Sequence, residues 1–94
     1  MMSNVPQELV IPKSVLEAKG AMELVRIWVA DGSQISAISP NLWKDPGSWG
    51  LMLVDLANHV ASAYEAQGWN RAEVLSRIKK AYDVEWAHPT DAAL

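Results

Sequence analysis

Residues 45–86 decide the fold, and they read DPGSWGLMLVDLANHVASAYEAQGWNRAEVLSRIKKAYDVEW. Apolar residues recur at helical spacing on both sides of residues 68–70, which predicts two amphipathic helices. Asp45 is an N-cap residue and Pro46 suits the first helical position, so the first helix is expected over about 46–67. Gly68 can supply the left-handed conformation that ends it.

The second helix is expected over residues 71–86. Asn70 and Glu73 have the spacing of a capping box, and Trp69 and Val74 have that of a hydrophobic staple. A connection of three residues makes the two helices antiparallel neighbours. The first helix has an apolar stripe that is expected to face the core. Its members are Trp49, Met52, Leu53, Leu56, Val60, Ala63 and Tyr64.

Residues 22–39 precede the helices and carry a β-hairpin signal centred on Asp-Gly at 31–32. A two-residue turn would pair Trp28 with Ile35. A three-residue loop with glycine left-handed pairs Ile27 with Ile35 and collects the β-branched residues on one face. This second register is the expected one. It places Leu24, Arg26, Trp28 and Ile38 on the opposite face.

The remaining elements complete an α+β fold. Leu9–Ile11 is a candidate third strand, and a short helical turn is expected over residues 13–19. All 94 residues form a single domain. It is predicted to be an antiparallel hairpin covered on its Val25/Ile27/Val29 face by two antiparallel helices. Residues 1–8 and 88–94 are expected to be flexible.

Composition excludes several function classes. A net charge of −3 and a pI near 5.2 argue against nucleic acid as a partner. The absence of cysteine excludes disulfides and thiolate chemistry. With no secretory leader and no long apolar run, a cytoplasmic protein without membrane contact is expected. There are five tryptophans and no phenylalanine. Most are expected to fill or rim the core; the alternative is that one or two lie on an interface or binding surface.

Three groups of residues form an ordered set along the chain. They are Val25 to Gly32 (VRIWVADG), then Trp49-Gly50-Leu51 with Asp55 and His59, then Pro89-Thr90-Asp91. This set resembles a family of short bacterial proteins, mostly alphaproteobacterial, that is catalogued as a domain of unknown function. The resemblance covers about residues 8–91. It implies a soluble α+β protein of bacterial origin, and no activity, substrate or site residue is carried over from it.

The first helix contains a set of residue types that could carry chemistry. Asp55 and His59 are four residues apart, and Ser62 lies one turn further on the same side. A carboxylate beside a histidine can make it a general base. However, one straight helix lays these groups in a row and supplies no oxyanion donors, so a structural role is expected. Two ligands do not complete a metal site, and the other histidine, His88, lies beyond the second helix. No metal or cofactor is therefore expected.

Arg26 is a charge between two apolar residues, Leu24 and Trp28, on the hairpin. It is interpreted as a surface arginine whose stem covers Trp28. The alternative is a contact with an anion or carboxylate in an interface. The other cations, Arg71, Arg77, Lys79 and Lys80, are interpreted as a solvated face of the second helix.

These observations favour a non-enzymatic module that self-associates, most simply as a two-fold homodimer. Leu24, Trp28 and Ile38 would form an exposed apolar patch, and a second copy is the expected cover. The segment Leu9–Leu16 is the rival cover. The alternative function is a small-molecule-binding protein or weak enzyme. Its site would use Arg26, Trp28, Asp55 and His59.

Overall fold

The computed structural model describes residues 5–90. Its elements are α1 (Lys13–Glu17), β1 (Val25–Ala30), β2 (Ser33–Ile38), α2 (Gly47–Glu65) and α3 (Arg71–Ala87). The strands form an antiparallel hairpin, and α3 packs back along α2. This confirms the predicted α+β class and its helix pair. Leu9–Ile11 forms no strand, so the candidate third strand is wrong: the segment makes no hydrogen bond to the hairpin, and Leu9 is 96% exposed.

The α2–α3 connection forms through the end-capping chemistry that the sequence indicates. Gly68 has a φ of +97°, and its N–H donates to the carbonyl of Glu65 at 3.0 Å. The N–H of Trp69 donates to the carbonyl of Tyr64 at 3.1 Å, which completes a Schellman motif. The Trp69 and Tyr64 rings meet edge to face at 5.5 Å. The Asn70 side chain then accepts from the N–H of Glu73 at 2.9 Å and caps α3.

The start of α2 is also capped by a side chain that the sequence indicates. The Asp45 carboxylate accepts a hydrogen bond from the N–H of Gly47 at 2.8 Å, so it satisfies one of the free amides of the first turn. The helix begins one residue later than predicted, and α3 ends one residue later than predicted. Local capping chemistry therefore accounts for where both helices begin and for the connection between them.

The hairpin turn differs from the predicted three-residue loop. Asp31 and Gly32 alone form it, with φ values of 52° and 78°, and Trp28 pairs with Ile35. Two consecutive positive φ angles define a type I′ turn, whose twist matches that of the flanking strands. The predicted register was wrong because this local preference outweighs the gain from collecting β-branched side chains on one face.

The corrected register changes which residues share a face. Ile38 pairs with Val25 and therefore lies on the same face as Val25. Leu24 and Trp28 lie on the other face of the hairpin. The predicted apolar patch of Leu24, Trp28 and Ile38 is therefore split between two faces. We call one the β-branched face; it consists of Val25, Ile27, Val29 and Ile38. We call the other the tryptophan face; it consists of Leu24, Arg26, Trp28, Ile35 and Ala37.

Most of the apolar stripe of α2 is not covered by the rest of its own chain; only Trp49 and Met52, near the start of the helix, are half-buried. The helix contacts α3 through the side that carries Ala61, about a third of a turn away from the stripe. Leu53 is 46% exposed and Leu56 is 47% exposed. Within residues 5–90 the buried hydrophobic residues are Ala61 and Val74. One copy of the chain thus has almost no core.

The hairpin and the helix pair are separate within one chain. No Cα of β1 or β2 lies within 8 Å of a Cα of α2 or α3. The radius of gyration is 16.1 Å, whereas a compact domain of this length has a radius of about 12 Å. The cover predicted for the hairpin is therefore not formed within a single chain.

Candidate functional site

Asp55 and His59 lie next to each other on the exposed polar side of α2. Neither has a hydrogen bond or an ion-pair partner in the part of the chain that the structure describes. Ser62 is engaged elsewhere: its hydroxyl donates to the carbonyl of Asn58 at 3.1 Å and accepts from Arg71 at 2.6 Å. The three groups therefore form no hydrogen-bonded relay in this structure.

Arg71 forms a polar cluster that the sequence interpretation missed. Its guanidinium donates to the hydroxyl of Ser62 at 2.6 Å and to the side-chain oxygen of Asn58 at 3.1 Å. Asn58 in turn donates to the carbonyl of Val54 at 3.0 Å. Arg71 is half-buried, so placing it on a solvated face was wrong. The cluster ties the start of α3 to the last turns of α2.

The position of Arg71 relative to the apolar residues of α3 is a sequence signal for this cluster. Arg71 precedes Val74, Leu75 and Ile78 by three, four and seven residues, which places it on the apolar face of the helix. In an antiparallel pair that position lies opposite the last turns of α2. The other cations, Arg77, Lys79 and Lys80, are exposed as predicted. Arg77 pairs with Glu73 and Lys79 with Asp83 along the helix.

Arg26 is paired within its own hairpin. Its Nε donates to Glu23 at 2.7 Å, and one Nη donates to the other carboxylate oxygen at 3.1 Å. The hydrogen bonds from Glu23, followed by the charge of that carboxylate, raise the pKa of Arg26 above its ordinary value. The guanidinium carbon lies 5.8 Å from the Trp28 ring centroid. This contact agrees with an arginine that covers Trp28.

The four candidate ligand-binding residues form two separate pairs in one chain. Arg26 and Trp28 lie on the hairpin, Asp55 and His59 lie on α2, and no Cα of one element comes within 8 Å of the other. Among residues 5–90, no three histidine or carboxylate side chains are grouped closely enough to hold a metal ion. The four residues therefore lie in two separate pairs, and a single chain does not join them.

The hairpin carries an open apolar groove of about 690 Å³. Residues 5–7 line one side of it, and residues 27–30 together with Ile35 line the other. None of these side chains is ionisable. A groove without charged groups suits an apolar protein surface better than a polar substrate. No helix in the described range is long and apolar enough to span a bilayer.

Comparison with known families accounts for the ordered set of fragments. A family model for a domain of unknown function, DUF5076, matches residues 8–90. The chain belongs to the DUF5076 family. This match confirms the resemblance to a domain of unknown function and nearly reproduces its expected extent. No curated protein matches the DUF5076 chain at a significant level.

A solved structure resembles this DUF5076 domain over nearly its whole length. It is a protein from the photosynthetic bacterium Rhodopseudomonas palustrus CGA009, described as a "putative pyruvate dehydrogenase". The two chains are 34% identical, and the match covers 95% of this chain and 92% of that one, with a TM-score of 0.71. The fold is thus shared with a bacterial protein of almost the same length.

Proposed function

We propose that this DUF5076 domain is a self-associating module of the bacterial cytoplasm, a homodimer whose core is completed by the second copy. The observation that carries the proposal is the missing core of the single chain, in which the buried hydrophobic residues of the described range are Ala61 and Val74. The relative from a photosynthetic bacterium supports a bacterial source. The cytoplasmic location is carried over from the sequence composition.

The exposed area supports a partner of substantial size. The chain exposes 8653 Å², whereas a folded monomer of 10.3 kDa exposes about 5,400 Å². The excess is roughly 3,000 Å² per chain, and obligate dimers bury about 1,000–2,500 Å² per chain. A dimer interface at the upper end of that range would cover most of the surplus surface.

The distribution of apolar residues around α2 supports a central, buried position for this helix in the dimer. Apolar residues lie on both of its sides, since Leu51 is 71% exposed and Leu56, on the other side, is 47% exposed. A helix with apolar residues around most of its surface is stable when it is buried on several sides. A two-stranded hairpin without a covering layer is also marginal in water. Both elements gain stability from a second copy.

The alternative is a small-molecule-binding protein or weak enzyme that uses Arg26, Asp55 and His59. The description of the relative as a "putative pyruvate dehydrogenase" favours this class. The geometry gives it less support, because Arg26 is occupied by Glu23 and is separate from α2. Asp55 and His59 are exposed rather than enclosed in a pocket. We therefore favour the self-associating module.

Thermal unfolding tests the proposal, because the midpoint of a dimer rises with protein concentration and that of a monomer does not. We expect the midpoint to rise over a hundredfold dilution range. Leu56→Asp places a charge in the apolar stripe of α2 and should abolish this dependence or prevent folding. Lys80→Asp changes charge on the exposed side of α3 and serves as the control. A concentration-independent midpoint for the unmodified chain, with cooperative unfolding, would overturn the proposal.

A further inference from the structure

The segment between the hairpin and α2 is held at both of its ends. The N–H of Ser39 donates to the carbonyl of Leu24 at 2.9 Å, which extends the hairpin ladder by one pair. The Trp43 ring packs edge to face on Trp49 of α2 at 4.9 Å, and both rings are half-buried. Asp45 then caps the first turn of the helix. These contacts hold the connection at each of its two ends, and in this structure the hairpin lies away from the helices of its own chain.

Two uncovered surfaces result from this arrangement. The first is the β-branched face, on which Ile27 is 52% exposed and Val29 is 59% exposed. The second is the apolar stripe of α2, with Leu53, Leu56 and Val60 at its centre. A sheet face and a helix stripe are the two surfaces that pack together in a layered α+β domain.

One kind of contact covers both surfaces, whereas a contact between two like surfaces by itself covers only one of them. Two hairpins stacked face to face would leave the α2 stripe bare. Two α2 helices packed stripe to stripe would leave the β-branched face bare. A hairpin seated on the α2 of a second copy covers both, and two-fold symmetry makes the contact twice. The surplus area of roughly 3,000 Å² per chain is large enough for two such contacts between a hairpin and a helix.

We infer that the domain dimerises by hairpin exchange. The β-branched face of each copy packs on the α2 stripe of the other, and the segment of residues 39–46 is the crossover connection. This inference rests on the proposed self-association and adds which surfaces meet. The tryptophan face, with the Arg26–Glu23 pair, then remains on the outside of the dimer.

Cysteine crosslinking can test the exchange directly, because the chain contains no cysteine of its own. Ile27→Cys and Leu56→Cys chains carrying tags of different length are mixed in urea, refolded together and treated with a short bis-maleimide. Exchange predicts that the crosslinked species contains one chain of each kind. Ile35→Cys lies on the tryptophan face and is similarly exposed, so its mixture with Leu56→Cys is the matched control and should crosslink far less.

The remaining outcomes separate this inference from the proposed function. Efficient crosslinking of Ile27→Cys to itself, or of Leu56→Cys to itself, would overturn exchange while leaving a dimer. An internal crosslink in a monomeric Ile27→Cys/Leu56→Cys double variant would show that the hairpin closes on its own helices, and both proposals would fall. Native mass and circular dichroism are measured first. Val29→Cys with Leu53→Cys is the second pair if a variant of the first pair fails to fold. Absence of mixed crosslinks in both pairs, with the dimer mass retained, would also overturn exchange.

Discussion

Arg71→Ala should destabilise the domain more than Arg77→Ala, the change at the other arginine of α3. The side chain is half-buried and donates two hydrogen bonds across the helix pair, to Ser62 at 2.6 Å and to Asn58 at 3.1 Å. Its removal leaves both acceptors without their cationic donor. Arg77 offers the matched control, because it lies on the same helix and pairs with Glu73 one turn away at 3.0 Å.

The expected magnitude follows from three opposing effects. A hydrogen bond to a charged group contributes about 1.5–3 kcal/mol when buried, and solvent around a half-exposed arginine reduces that value. A cation in the first turn of a helix is disfavoured by about 0.3–1 kcal/mol, so Arg71→Ala recovers that amount. The net loss should be about 1–2 kcal/mol. Arg77→Ala should cost less, about 0.5–1 kcal/mol, because it removes an exposed pair with Glu73 and a contact of the guanidinium carbon with the Trp69 ring centroid at 5.8 Å.

Urea unfolding followed by tryptophan fluorescence measures this difference. All variants are compared at one protein concentration, because the stability of a dimer depends on it. Arg71→Lys keeps the charge but lacks the planar fork, so it should restore only part of the loss. Equal free energies of unfolding for Arg71→Ala and Arg77→Ala would refute the assignment of Arg71 as the bridge between α2 and α3.

Three further changes test the ends of the helices and the candidate site. Asn70→Ala removes the acceptor for the N–H of Glu73 and should lower the free energy of unfolding by about 1 kcal/mol; an unchanged value argues against the cap. Gly68→Ala meets no atom within 4 Å, but its φ of +97° is unfavourable for alanine, so we expect a loss of about 1 kcal/mol or more in the same urea assay. His59→Gln should change stability by less than about 1 kcal/mol, because the ring is exposed and has no side-chain partner among residues 5–90. Loss of a measurable hydrolytic or metal-dependent activity in a folded His59→Gln protein would contradict the structural role of His59.

The helix ends were predictable from the sequence because capping is local. Asp45, Gly68 and Asn70 each act on amides or carbonyls within a few residues, and each behaves in the structure as its position indicates. The existence of the hairpin was predictable for the same reason. Its register was not, since the alternation of apolar residues and the turn chemistry of Asp31-Gly32 pointed to different pairings. The local turn preference prevailed.

The candidate site was harder to predict because it depends on contacts between elements. Asp55 and His59 are neighbours on one helix, as their spacing requires, but spacing does not show whether a third group reaches them. The role of Arg71 depends on the packing of α3 against α2, which becomes visible only when its position is compared with that of Val74 and Ile78. The stripe of α2 was expected to face the core, but Leu53 and Leu56 at its centre are about half exposed in a single chain. What covers it could not be predicted from the helix alone.

Sedimentation equilibrium at micromolar concentration is the most direct test of the central claim, that one chain lacks a core and a second copy supplies it. The account predicts a mass of twice 10.3 kDa, with dissociation on dilution coupled to loss of circular dichroism. A folded species of 10.3 kDa at that concentration would contradict the account, because it would show that a single chain covers its own apolar surfaces.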